Sequence, residues 1–158
     1  MALDIQNVFN SLESIVVTYL RSESALTALV SSANIAAKLR EDPMNFEQSE
    51  LPAIRVGAYG YVPTSSPRLN RIQLQIEIVD IKADLETTDS LVKQISALVI
   101  DLLRHQSPQL AGNNSKNFNE QVEDVRITGG TILFFNLEDQ LSLFWVGGSI
   151  QAEIDIYN

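Results

Sequence analysis

Arg71-Ile72-Gln73-Leu74-Gln75-Ile76-Glu77-Ile78 decides the fold class. Apolar residues at the even positions alternate with charged and amide residues at the odd ones. A strand separates the two sets, because its successive side chains point to opposite faces. One dry and one wet face predict an antiparallel sheet covered on one side only. Upstream, after Pro52, Ile54, Val56 and Ala58 alternate with Arg55, Gly57 and Tyr59, and the run ends near Val62-Pro63. Residues 64–67 are a polar loop, so the two runs predict a hairpin. On this reading Tyr59 and Tyr61 share the wet face and form a candidate contact patch unless a helix covers them. Arg68 and Arg71, where the loop enters the second strand, are further candidate contacts.

On either side of the hairpin the period changes from two to 3.6. Ile5, Val8, Phe9, Leu12, Ile15, Val16, Tyr19 and Leu20 recur at steps of three and four, which predicts an amphipathic helix. Its polar face holds Asn7, Asn10, Glu13 and Thr18, and Asp4 suits its N-terminus. Ser22 or Ser24 is placed to cap a short second helix over residues 25–30. Residues 35–39 read as a connector or a short edge strand, and Glu41-Asp42-Pro43 as a turn. After the hairpin, Leu91, Ile95, Leu98 and Leu102, flanked by Val92, Val99 and Leu103, predict a second long helix. Thr87 or Thr88 would cap it, and Arg104 and His105 suit its C-terminal end.

The rest of the chain is β-rich. Residues 106–121 form a polar loop, of a length that is often functional. Val125 and Ile127 resume the alternation, Gly129-Gly130 reads as an interruption, and residues 131–137 are a β-prone run with Phe134 and Phe135 adjacent. Adjacent strand residues cannot both face one core, so Phe134, Phe135 and Trp145 are divided between core and subunit interface. Glu138-Asp139-Gln140 turns the chain, and Gly147-Gly148 suggests a bulge. At the end Ile150, Ala152, Ile154 and Ile156 face the core, while Gln151, Glu153 and Asp155 face water. The expected class is α+β: a single antiparallel (mixed) sheet, two main helices packed on one face, and an extra C-terminal β-hairpin, in one domain over residues 1–158.

Composition limits the chemistry. No cysteine is present, which removes disulfides, thiolate catalysis and Cys-ligated metal centres. Twenty acids against eleven bases give a net charge of −9. That balance opposes tight binding to nucleic acid or to an anionic membrane, since such binding draws on Lys and Arg. No apolar run approaches the ~20 residues that span a bilayer. The phosphate-binding glycine motifs are missing, and with His105 as the only histidine neither H-E-x-x-H nor a recommended Ser-His-Asp set can be built. Asp80, Asp84, Glu86 and Asp89 lack the calcium-loop pattern and read as a solvated acidic loop. The expectation is no catalytic residue, no cofactor and no metal.

The order of elements resembles the tail terminator (tail completion) proteins of tailed bacteriophages. The likeness rests on the N-terminal amphipathic helix, a strand of the type Leu51-Pro52-Ala53-Ile54-Arg55-Val56, and the long alternating strand from Arg71 to Ile81. The helix over residues 89–104, the polar loop and the closing alternating strand complete it. The resemblance implies a structural virion protein, not an enzyme. It would form a ring, usually hexameric, that caps the tail tube and joins it to the head connector while DNA passes through the lumen. The implied partners are other copies of itself, the tail tube protein and the neck or connector protein, with the sheath a further candidate. The implied place is the tail–neck junction of a virion assembled in the host cytoplasm. An acidic wall would let DNA slide, and an edge strand could pair with a neighbour. Tyr59, Tyr61, Arg68, Arg71, Phe135 and Trp145 are the candidate contacts. Another small neck protein (connector, stopper or minor tail protein) and a soluble non-catalytic binding module are the competing readings, with a carboxylate hydrolase last.

Overall fold

The computed structural model describes residues 7–107, 118, 122–137 and 143–157. Helix α1 is Val8–Ser22, α2 is Ser24–Thr27 and α3 is Leu85–Arg104. The strands are β1 (Ile35–Ala37), β2 (Ala53–Val62), β3 (Leu69–Lys82), β4 (Asp124–Asn136) and β5 (Phe144–Tyr157). They form one mixed sheet in the order β1-β2-β3-β5-β4, antiparallel throughout except for the parallel pair β1–β2. The expected α+β class, with its C-terminal hairpin β4–β5, is the observed one.

The alternation that predicts β3 also sets its register. Ile72, Leu74, Ile76 and Ile78 are all buried, and they pair on one side with β2 and on the other with Ile154, Ala152, Ile150 and Gly148 of β5. Leu12, Val16 and Leu20 of α1 and Val92, Ile95, Val99 and Leu103 of α3 close the same core, so both long helices stand on one face of the sheet. The other face carries Gln73, Gln75, Glu77, Ser149 and Gln151, and neither α1 nor α3 lies over it.

Several local expectations are corrected. Glu13 is buried, not on the wet face of α1, and one of its carboxylate oxygens has no partner among the described residues. Ile5 and Asp4 lie outside the described residues. Asp84, not a threonine, caps α3: its side chain accepts from the Glu86 amide and from Thr87 Oγ1. Glu23, without a side-chain bond, precedes α2. Asp80 is fully buried beside Lys82 Nζ at 3.0 Å, so it is no part of a solvated loop. Gly129-Gly130 does not interrupt β4. The strand runs through it, with an irregularity between Ile127 and Gly129. Gly147-Gly148 is no bulge either, because β5 stays in register with both neighbours there. These glycines make room on opposite faces. A Cβ on Gly147 would overlap the Trp145 ring, and one on Gly148 would lie 2.5 Å from Ser96 Oγ of α3. The turn expected at residues 138–140 lies outside the described residues.

Candidate assembly surface

The bare face of the sheet divides into three zones. At the end where β3 begins, cross-strand pairing brings together charges that are scattered in the sequence. Arg71 Nε and Nη2 donate to the two carboxylate oxygens of Asp155 at 2.8 and 3.1 Å. Arg126 donates to the same carboxylate at 2.9 and 3.2 Å, and to Asp124 at 3.1 Å. Ser107 Oγ donates to Asp124 at 2.6 Å, which ties the end of α3 into the network. Burial would push the Asp155 carboxyl up, but the hydrogen bonds from Arg71 and Arg126 outweigh it and hold it below its ordinary value. Those hydrogen bonds to Asp155 hold both guanidinium groups above theirs. Neither arginine is left as a free cation.

The middle zone is rich in amides, with Gln73, Gln75 and Gln151 around Ser149, and its charges oppose one another: Glu77 pairs with Ser149 on one side and Arg55 on the other, and Gln75 donates to Glu77 at 3.0 Å. At the far end, Val79, Ile81 and Trp145 form a second small core, covered by Phe46, Leu51, Leu137 and Leu143. Trp145 Nε1 donates to the Pro43 carbonyl at 2.8 Å and clamps this covering segment. Trp145→Phe removes that hydrogen bond and part of the ring's packing. A loss of about 1 kcal/mol is expected in denaturant unfolding, with an unchanged slope.

The six residues expected to make contacts do not form one patch. Trp145 is only 8% exposed and serves the second core, and Arg71 is held by Asp155, so neither is free for a partner. Tyr59 is 62% exposed and Tyr61 is exposed too, but they do not share a face. The irregularity between Ala58 and Gly60 puts Tyr61 in register with core-facing Ile72, while the Tyr59 ring lies over Gly57 on the bare face. Arg68 sits exposed at the β2–β3 turn. That turn is organised: Thr64 Oγ1 lies 2.9 and 2.8 Å from the Ser66 and Leu69 carbonyl oxygens. Phe135 is exposed, partly leaning on Trp145 with ring centroids 5.5 Å apart. As expected, Phe134 and Phe135 point to opposite faces, and both are exposed. His105 is an exposed C-cap. The loop expected over residues 106–121 holds three buried residues, Gln106, Ser107 and Phe118, and the Phe118 amide donates to Gln106 Oε1. Its other residues lie outside those described.

Sequence reasoning missed two things: the Arg71–Asp155–Arg126 cluster and the extent of the exposed strand. From Gly129 to Asn136 every residue of β4 is exposed, on both faces. Ile132 and Phe134 project on the helix face, Leu133 and Phe135 on the bare face. Among the described residues no cluster of three or more His, Cys, Asp or Glu side chains is arranged to hold a metal ion, and no helix is long and apolar enough to cross a membrane.

The fold has a match in a virion. A chain from the "Virion of native gene transfer agent (GTA) particle" superposes on this one with a TM-score of 0.56, over 91% of this chain and 94% of that one, at 14% sequence identity. No family model and no curated protein sequence matches the chain.

Proposed function

We propose that the chain is a structural protein of a tailed, phage-like virion, and within it a tail terminator: a ring that caps the tail tube, joins it to the head connector and lets DNA pass. The observation that carries this reading is the near end-to-end likeness to a chain of a gene transfer agent virion. The bare sheet face fits a passage for DNA. Arg71 and Arg126, which could otherwise grip phosphates, are held by carboxylates, Arg55 stands opposite Glu77, and the amides between them lie in a chain of net charge −9. The work is geometric and requires no catalytic group or cofactor. Its partners are further copies of itself, the tube protein and the connector.

Deleting the gene tests the reading. Electron micrographs of the lysate should contain filled heads beside unjoined tails of irregular, often excessive length. Virions of normal form after deletion would sink the proposal. Tails of normal length that never join heads would move the chain to a connector or stopper of the same neck.

A further inference from the structure

Among the described residues the sheet has two vacant edge stretches, and neither carries a charged side chain. On one side β1 covers only Ile54–Val56 of β2. Lys38 then takes a left-handed backbone conformation, φ 69°, which an L-residue adopts at a cost. The chain leaves the edge there: the Leu39 side chain comes to lie close over Gly57, and the Leu39 amide donates to Tyr59 Oη at 3.1 Å. Residues 57–62, Gly-Ala-Tyr-Gly-Tyr-Val, are thereby left without a backbone partner on that side among the described residues. On the opposite side, residues 129–136 of β4, Gly-Gly-Thr-Ile-Leu-Phe-Phe-Asn, form the other edge. A strand exposed on both faces is not covered by a helix, which shields one face only. Another strand continues the sheet, pairs the free backbone groups and flanks the side chains on both faces.

We infer that the vacant β4 edge of one copy pairs antiparallel with the vacant β2 edge of the next, so that the sheets of successive copies form one continuous wall. The inference rests on the ring reading only in taking the copies to be related by rotation. Three observations favour a second copy as the occupant. Copies of net charge −9 repel, and residues 57–62 and 129–136 carry no charged side chain, so two copies can meet there without opposing like charges. The strand directions also agree. Across β2, β3, β5 and β4 they alternate, so rotation about an axis along the strands sets β4 antiparallel to the next β2. Finally, the stagger is right for closure. The middle of the β2 stretch is level with Glu153 of β5, and that of the β4 stretch with Gly147-Gly148, five to six residues away. That is about 18 Å along the strands over a width of about 19 Å. Bringing the edges level needs a tilt of roughly 43°, within the ~35–45° of closed barrels. The helices α1 and α3, both on one face, then lie outside, and the bare face lines the lumen.

The chain has no cysteine, so engineered pairs report cleanly. Tyr59→Cys with Leu133→Cys joins the bare faces, and Tyr61→Cys with Ile132→Cys the helix faces. Under oxidation, at least one pair should give a ladder on a non-reducing gel that ends at the ring size, while the corresponding single variants give no ladder. Phe134→Lys should convert the ring to monomer in light scattering without altering the circular dichroism spectrum. Dimers from Leu133→Cys alone would mean symmetric β4–β4 pairing and overturn the inference. A ring that persists in Phe134→Lys and yields no cross-link would overturn the edge pairing and leave the ring reading standing. A chain that stays monomeric at millimolar concentration would remove both.

Discussion

Gly148→Val should destabilise the protein by about 3 kcal/mol and lower its Tm by roughly 10 °C. Gly148 lies in β5, between β3 and β4 and directly beneath α3. A Cβ there would sit 2.5 Å from Ser96 Oγ and 3.5 Å from Val92 Cγ1. Alanine meets chiefly the hydroxyl, which can rotate away, so Gly148→Ala should cost only about 1 kcal/mol. Valine adds methyls that must enter the Val92 side chain, and α3 has to move off the sheet. Ser96 Oγ is buried without a hydrogen-bond partner among the described residues, so Ser96→Ala removes the obstacle at little expense. In a double-mutant cycle it should recover most of the Gly148→Ala loss and little of the Gly148→Val loss. Equal stability of Gly148→Val and the parent in urea unfolding would contradict the close approach of α3 and β5.

Asp155→Asn should cost about 2–3 kcal/mol, because two guanidinium groups then converge on a neutral amide. The arginines are about one-third exposed and keep Glu153 and Asp124 as neighbours, which limits the damage. The pH dependence separates this effect from simple misfit. The folded Asp155 carboxyl is held below its ordinary value, so the unfolded chain binds a proton there more readily. Its contribution is complete above the ordinary carboxylate value, about pH 4, and is lost as pH falls through the lower folded value. The parent should therefore lose stability steeply on acidification below about pH 4, and Asp155→Asn less steeply. Parallel curves for the two proteins would remove Asp155 as the anchor of the cluster.

How much was legible follows from what each signal depends on. The strand β3 and its dry face could be read from Ile72 to Ile78 because alternation is a local property. So could α1 and α3, whose stripes repeat every three or four residues. What failed depended on register. Asp155 reads as a wet residue on its own strand, and only the pairing with Arg71 and Asp124 reveals it as the centre of a network. The signal available was the presence of both charge signs on wet faces of separate strands, which names no partners. Tyr59 and Tyr61 are two apart and should share a face, but one extra residue at the Ala58–Gly60 irregularity reverses the second. Gly147 and Gly148 were misread because paired glycines can mark either a bend or a close approach, and the space taken by Trp145 and Ser96 is not a local quantity.

The brevity of β1 has a mechanical consequence. If copies join through the β2 edge, the place where Lys38 takes the chain off that edge is also a doorstop: an incoming strand can slide along β2 only as far as Gly57. Side-by-side pairing of strands has no inherent limit on slippage, and an assembly free to slip by a residue pair at each joint would climb into an open spiral. A fixed stop at every joint sets the climb per copy, and a climb of zero separates a washer from a spring.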